Sequence, residues 1–285
     1  MFRSVLVPLD GSPFSEQALP LAQLIGRGAG ARLHLGHVHV PDSHTNGRGR
    51  EQKEEYLTQV VQRLTAEGID ADQTLLDGTV LKAIEEWAQQ VAPDLIVMAT
   101  HGRSGLERLR RGSVAEGLVS RGIAPMLLLH ADGGDEPPVV KALDHVVVAL
   151  DQSSFAQSIL DPLASFGKAA GVSSYTLVHV VDGKGTGRAG WTPLAAVQAR
   201  AMEHLDPVRA RLQEPDVDID VQVVMASDPS EGILGVAEKV GADLIAMTTH
   251  GTTGIRSTLL GSVAAHVLRD WYGPLLLQRP GAAPE

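Results

Sequence analysis

The chain has 285 residues and a formal net charge of −10, from 34 acidic against 24 basic side chains. This acidic balance argues against nucleic acid or an anionic membrane as the main partner, because both attract basic surfaces. The absence of cysteine excludes disulfides, thiol catalysis and thiolate metal sites. No apolar run approaches the length of a membrane-spanning helix, so we expect a cytoplasmic protein.

The first half of the chain alternates strand and helix patterns. Apolar runs of strand length fall at residues 5–9, 33–40, 72–76, 95–98 and 126–130, and helical spacing falls at 13–26, 51–67, 79–90 and 113–121. Ser12 and Pro13 have the residue types of an N-cap and of the first helical position, and Pro20 predicts a bend in that first helix. Such alternation is typical of an α/β fold with a doubly wound parallel sheet.

The second half repeats this order. Its strands are predicted at 146–150, 175–181, 217–225 and 275–278, and its helices at 199–212 and 233–240. In the clearest repeat, the segment from Asp94 to Gly102 (DLIVMATHG) returns from Asp243 to Gly251 (DLIAMTTHG). We therefore predict two tandem domains and an acidic linker rich in proline and glycine. The boundaries are 1–131 and 142–280 for the domains, 132–141 for the linker and 281–285 for a tail.

A glycine-containing loop follows the repeated strand in each copy and ends where a helix starts. In copy one, Ser113 and Glu116 have the spacing of a capping box. Backbone N–H groups at such a loop and helix start can hold a phosphate, because glycine has no Cβ to block the approach. Two simpler roles stay open, since Ser113 could only cap its helix and Asp10 could only form a turn. Asp10 and Asp151 nevertheless both follow a first strand, at the edge where open α/β sheets bind ligands.

These segments resemble the universal stress protein family in its tandem two-domain form. The resemblance is carried by the strand ends at Asp10 and Asp151 and by the His-Val pairs that end at Val38 and Val180. In both copies, Thr-His-Gly is also followed, after nine residues, by Gly-Ser. The resemblance covers nearly the whole chain outside the linker and tail. It implies five strands per domain in the order 3-2-1-4-5, as in adenine-nucleotide α-hydrolase-like folds, with ATP at the strand ends in the ATP-binding branch.

The resemblance further implies one adenine-nucleotide site per copy, which holds ATP alone or with Mg²⁺. Asp10 and Asp151 would lie near the ribose or phosphates, and Val38 and Val180 would offer backbone groups to adenine. The other implied site residues are Pro8, Leu9, Met98, Ala99, Gly102, Arg103, Gly112, Ser113 and Val114 in copy one, and Ala149, Leu150, Met247, Thr248, Gly251, Gly261, Ser262 and Val263 in copy two. Ala99 and Thr248 replace the first glycine of the family motif, which adds bulk near the ribose, most in copy two.

The glycine loops of the two copies differ in charge. Copy one carries Arg103, Arg108, Arg110 and Arg111, whereas copy two carries only Arg256. The planar fork of arginine suits phosphate oxygens, so copy one is expected to bind the triphosphate more tightly. For Arg108 and Arg110 a solvated surface role is favoured.

Metal and catalytic interpretations are weaker. His34, His37, His39 and His44 do not form a tetrahedral set, so structural or solvent-facing histidines are favoured and no metal site is predicted. His101 and His250 have no evident acid or nucleophile partner, so no catalytic residue is predicted.

The leading hypothesis is an ATP-binding stress-response regulator with at most weak ATP hydrolysis. It would act through nucleotide-dependent conformation or through an unidentified protein partner, with a homodimer as the expected association. Two alternatives stay open: a scaffold that has lost nucleotide binding, and a slow ATPase.

Overall fold

The structure is a computed structural model that describes residues 1–40, 48–101, 113–131, 143–182, 194–249 and 260–280. The chain forms two compact units. Unit 1 contains Met1–Lys141, and unit 2 contains Ala142–Gly167 and Gly171–Glu285. Each unit alternates strands and helices around a parallel sheet of five strands. The predicted fold class, two tandem doubly wound α/β domains, is confirmed.

Unit 1 has its elements in the predicted order. Its strands are β1 (Ser4–Leu9), β2 (Arg32–His39), β3 (Ala71–Asp77), β4 (Leu95–His101) and β5 (Met126–Ala131). Its helices are α1 (Pro13–Glu16), α2 (Leu19–Ala29), α3 (Arg48–Ala66), α4 (Val80–Val91) and α5 (Ser113–Arg121). The strands are parallel in the order β3-β2-β1-β4-β5, which is the predicted order.

Unit 2 repeats this plan. Its strands are β6 (His145–Ala149), β7 (Ser174–Asp182), β8 (Asp218–Ala226), β9 (Leu244–Thr248) and β10 (Leu275–Gln278), in the order β8-β7-β6-β9-β10. A 3₁₀ turn (Ala156–Ile159) precedes α6 (Leu160–Ala170), and the later helices are α7 (Leu194–Leu212), α8 (Pro229–Val240) and α9 (Ser262–Asp270). Among the described helices of both units, none combines the length and apolar character needed to cross a membrane.

The first helix differs from the prediction. A single continuous helix bent at Pro20 is wrong, because Gln17 and Ala18 form a turn whose N–H groups bond three residues back, to Phe14 and Ser15, and α2 begins only at Leu19. Pro20 therefore lies in the first turn of α2, where its missing N–H leaves no intrahelical bond unmade. β4 extends past the predicted end at residue 98 to His101, so Ala99 belongs to the strand.

The central strands show why the sheets are buried on both faces. Val5, Leu6 and Val7 are consecutive residues of β1, and all three are fully buried. Successive side chains of a strand point to opposite faces, so both faces of β1 are covered by helices. The same holds for β6, where Val146 to Val148 are fully buried.

Gly36 in β2 allows α4 to pack closely on the sheet. A Cβ at Gly36 would lie 2.2 Å from Cζ3 of Trp87, which is itself buried. We expect Gly36→Ala to lower the free energy of unfolding by about 1–3 kcal/mol, because the indole has no free space into which to move. Urea denaturation of the full chain measures this change.

Gly235→Ala in α8 is the matched control for this substitution. No heavy atom lies within 4 Å of a Cβ built at Gly235. Alanine should leave stability unchanged or raise it by about 0.5–1 kcal/mol, since glycine is the poorer helix former. Equal losses of stability in both variants would contradict the packing argument.

Candidate functional site

The sheet order of unit 1 reverses between β1 and β4. β1 pairs with β2 as far as Leu9 and His37, whereas its register with β4 covers only Val5 with Leu95 and Leu6 with Ile96. In unit 2, the register between β6 and β9 likewise stops after three residue pairs. Beyond these pairs the carboxyl ends of the two strands separate. Ligands of open α/β sheets bind in the crevice that such a reversal creates.

An aspartate ties the two central strands together at their amino ends. Oδ2 of Asp94 accepts hydrogen bonds from the backbone N–H groups of Arg3 and Ser4, at 2.7 and 3.1 Å. In unit 2, Oδ2 of Asp243 accepts from the N–H groups of Asp144 and His145, at 3.0 and 2.9 Å. Sequence patterns assign no role to these aspartates, although their recurrence at the start of matching strands is a usable signal.

Asp10 lies at the carboxyl end of β1 and closes the turn into α1. Its Oδ1 accepts hydrogen bonds from the backbone N–H of Ser12 at 2.9 Å and from Ser12 Oγ at 2.5 Å. Ser12 Oγ in turn accepts from the N–H of Ser15, which confirms Ser12 as the N-cap of α1. Asp10 therefore does form a turn, and it does so at the predicted ligand-binding edge.

Asp151 is held in the same way at the end of β6. Its Oδ1 accepts from the backbone N–H of Ser153 at 2.9 Å and from Ser153 Oγ. Ser153 Oγ accepts from the N–H of Ala156, at the start of the 3₁₀ turn. Both units thus fix a carboxylate at the crevice through an Asp-x-Ser turn. The serine two residues after each aspartate is the sequence signal for this arrangement.

The start of α9 in unit 2 lies at the same edge of the sheet. Gly261 is the N-cap, makes no side-chain capping bond, and donates its N–H to the carbonyl of Thr249 at 3.0 Å. Ser262 is the first helical residue. α8 differs, because the side chain of Asp228 caps it by accepting from the N–H of Ser230. The first turn of α9 therefore presents backbone N–H groups and the positive end of the helix dipole without a side-chain cap.

The other predicted site residues lie at the same strand ends where they are described. Met98 and Met247 are buried in β4 and β9, Thr248 is buried, and Ala99 is half-buried. Pro8, Leu9, Ala149 and Leu150 complete the ends of the first strands, and Val114 and Val263 lie in the first turns of α5 and α9. The predicted residues Gly102, Arg103, Gly112 and Gly251, the remaining loop arginines and the side chain of Ser113 lie outside the described residues.

Val38 and Val180 lie beyond the ends of β1 and β6, on strands that continue past them. The side chain of Val180 packs against α8, since a Cβ at Gly232 would lie 2.9 Å from Val180 Cγ1. This packing leaves the backbone of Val180, and not its side chain, as the group available at the strand end.

Unit 1 also contains a cavity of about 500 Å³ between α3 and the carboxyl ends of β1 and β2. The rings of His37 and Tyr56 meet edge to face there, with centroids 6.3 Å apart. Lys53 Nζ lies 3.5 Å from His39 Nδ1. Its lining includes Asp10, Gly11, His37, Gln52, Lys53 and Tyr56. Sequence reasoning missed this cavity, although Lys53 and Tyr56 share a helix face by their spacing and His37 and His39 share a strand face.

His37 is the most buried polar group of this cavity. It is 5% exposed, and its Nδ1 has no hydrogen-bond partner among the described residues. Burial lowers the pKa of the imidazole below its ordinary value of 6.5, and the Lys53 ammonium lowers it further, against opposing effects of the Leu9 carbonyl and the Asp10 carboxylate. His37 is therefore neutral at pH 7. Within the described ranges, no group of three histidine or carboxylate side chains could hold a metal ion.

Comparison with known proteins decides the family. The model of the universal stress protein family matches residues 1–130 and 142–278. The chain belongs to the universal stress protein family. A universal stress protein of Mycobacterium tuberculosis is 27% identical over 255 residues, which are 84% of this chain and 81% of that protein. One of Thermus aquaticus is 31% identical over 140 residues, which are 45% of this chain and 99% of that protein.

The fold is shared with a solved universal stress protein. The crystal structure of the protein from Archaeoglobus fulgidus matches with a TM-score of 0.72 and 23% identity, and the match covers 98% of both chains. This likeness extends over both units.

We expect Lys53→Met to raise the pKa of His37 toward its ordinary value, because a nearby positive charge disfavours the imidazolium form. An NMR pH titration of the imidazole measures the change. Lys82→Met on α4, where the lysine side chain is 75% exposed, is the control and should leave the His37 pKa unchanged. An unaltered His37 pKa in Lys53→Met would contradict the electrostatic contact.

Proposed function

We propose that this universal stress protein binds ATP at the carboxyl edge of its sheets and that nucleotide binding regulates its conformation or its affinity for a protein partner in the stress response. The observation that supports this most is the start of α9, where backbone N–H groups without a side-chain cap lie at the crevice edge. A phosphate at that position would gain hydrogen bonds and the attraction of the helix dipole.

The residues of unit 2 fit an adenine nucleotide. Gly261 has no side chain to obstruct the approach of phosphate, and the N–H groups of Ser262 and Val263 would bind its oxygens. Asp151, oriented by Ser153, would accept a hydrogen bond from a ribose hydroxyl. The backbone of Val180 would meet the adenine ring. Mg²⁺, where present, would be held largely by phosphate oxygens and water.

Unit 1 has the same Asp-x-Ser turn and helix order, so we propose a corresponding site at Asp10, Val38 and the start of α5. The arginines that distinguish its glycine loop favour tighter binding there. A cytoplasmic homodimer with an unidentified protein partner belongs to the same proposal and rests on the family resemblance.

ATP binding is tested by calorimetry on the full chain, after mass spectrometry of any nucleotide that is released on denaturation. We expect Gly261→Arg to weaken ATP binding to unit 2 by about 100-fold, since two hydrogen bonds to charged oxygens are lost at about 1.5–3 kcal/mol each. Gly235→Arg, on the exposed surface of α8, is the matched control and should bind ATP as the unmodified chain does. Gly112→Arg should reduce total ATP binding more than Gly261→Arg does.

Three outcomes separate the alternatives. An unmodified chain that binds no ATP would contradict the proposal and favour a scaffold. Release of phosphate from ATP that is lost in Asp10→Ala would favour a slow ATPase. Saturable binding without turnover, lost through Gly112→Arg and Gly261→Arg together, would support a regulatory nucleotide.

A further inference from the structure

We propose that unit 1 has a second ligand site, in the cavity between α3 and the ends of β1 and β2, for a small hydroxylated molecule that carries a phosphate or carboxylate group. The site is separate from the proposed nucleotide site, although both approach Asp10. The supporting observations are a half-buried lysine that forms no ion pair with a carboxylate in the described part of the chain, a buried histidine ring in the same lining, and different residues at the matching described positions of unit 2.

The cavity lies on the opposite face of the sheet from α4. Gly36 of β2 faces the indole of Trp87 on α4, and the next residue, His37, therefore points to the other face. There it meets Tyr56 of α3. The helix α5, whose start is the proposed phosphate site of unit 1, packs beside α4 through an ion pair between Arg121 and Glu85 at 3.0 Å. The α3 cavity and the start of α5 therefore lie on different faces.

Lys53 gives the cavity a cationic side. The side chain is half-buried, its Nζ lies 3.5 Å from His39 Nδ1, and it forms no ion pair with a carboxylate in the described part of the chain. A partly buried ammonium group is stabilised by an anion, and the neighbouring histidine supplies none. A phosphate or carboxylate group of a ligand would complete this pair.

His37 places a buried ring against the cavity. The ring is 5% exposed, and the Leu9 carbonyl acts on it as a hydrogen-bond acceptor, so His37 reports on the cavity without having to bind the ligand. Tyr56 lies against the same ring, and burial, with a further contribution from Glu16, raises the pKa of its phenol. The Tyr56 hydroxyl therefore stays protonated.

Asp10 and Gln52 determine which functional groups the rest of the ligand can carry. The Asp10 carboxylate would repel a second anionic group but accepts hydrogen bonds from hydroxyl groups. The Gln52 amide can both donate and accept. A volume of about 500 Å³ suits a metabolite with several hydroxyl groups and one anionic end.

Unit 2 lacks this lining. The buried residues of α3 match those of α7, which aligns Leu57 with Leu205 and Leu64 with Leu212. This alignment places Ala201, which is fully buried, at the position of Lys53.

The first-strand turn differs as well. Gln152 follows Asp151 where Gly11 follows Asp10, so a long side chain replaces a glycine of the cavity lining. His179 corresponds to His37, and its Nδ1 donates to the carbonyl of Leu150, the counterpart of Leu9, at 2.9 Å. Unit 2 therefore serves as an internal control for ligand binding to the cavity of unit 1.

The experiment follows the His37 imidazole by NMR in the full chain while glycerol 3-phosphate or glycerate is added, with and without ATP. We expect saturable shifts of the His37 resonance and a rise in the His37 pKa, because the anion offsets the Lys53 charge. His179 should not shift. Lys53→Met should weaken this binding by about tenfold or more, as expected for the loss of one charge-assisted bond, whereas Lys82→Met should not.

Comparison of the added compounds tests which anionic group the cavity binds. Preference for glycerol 3-phosphate or for glycerate identifies the anionic group, and either result supports the site. The proposal is overturned if neither compound shifts His37 with a Kd below about 10 mM, if Lys53→Met binds as well as the unmodified chain, or if inorganic phosphate binds as tightly as both compounds.

This outcome is independent of the nucleotide proposal. Gly261→Arg should leave the His37 response intact, and Lys53→Met should leave the ATP affinity of unit 2 intact. Failure of one site therefore does not imply failure of the other.

Discussion

The hydrogen bonds of Asp94 and Asp243 fix one end of the central strand pair in each unit and leave the other end open. Each carboxylate holds two backbone N–H groups at the start of the first strand, and the register with the fourth strand then continues for only two or three residue pairs. Parallel strands that are joined at their amino ends and covered on both faces can separate only toward their carboxyl ends. In each unit the Asp-x-Ser turn lies at that edge for this reason, and in unit 2 the start of α9 lies there as well.

The two units keep this frame and differ in the side chains placed on it. Asp10 and Asp151 make equivalent turns, but Gly11 is replaced by Gln152 and Lys53 by the buried Ala201. These differences fall on the α3 and α7 side of the sheets, away from the helices that follow the fourth strands. A duplicated domain can thus keep one site and change another, because the two faces of a sheet are lined by alternate residues of the same strands.

Sequence patterns predicted the elements well and their contacts poorly. The central strands were predictable because apolar runs such as Val5 to Val7 must be buried on both faces. The break before α2 was missed, since a proline can bend a helix or start one, and packing decides which. The turns at Asp10 and Asp151 were predictable because both residues follow the apolar run of a first strand, whereas the ligand site at that edge stays a prediction. The α3 cavity was not, because it depends on His37 and Tyr56 meeting across two elements, which no local pattern encodes.

The carboxylate that caps α8 affects which of two neighbouring helix starts in unit 2 would attract an anion from solution. Hydrogen bonds from Ser230, with help from His266, lower the pKa of Asp228, so this carboxylate keeps its negative charge well into the acidic range. The starts of α8 and α9 lie at the same edge of the sheet, but the start of α8 already holds the Asp228 carboxylate. A multiply charged anion that approached this edge would be repelled by Asp228 at the start of α8 and attracted to the start of α9, which has no side-chain cap.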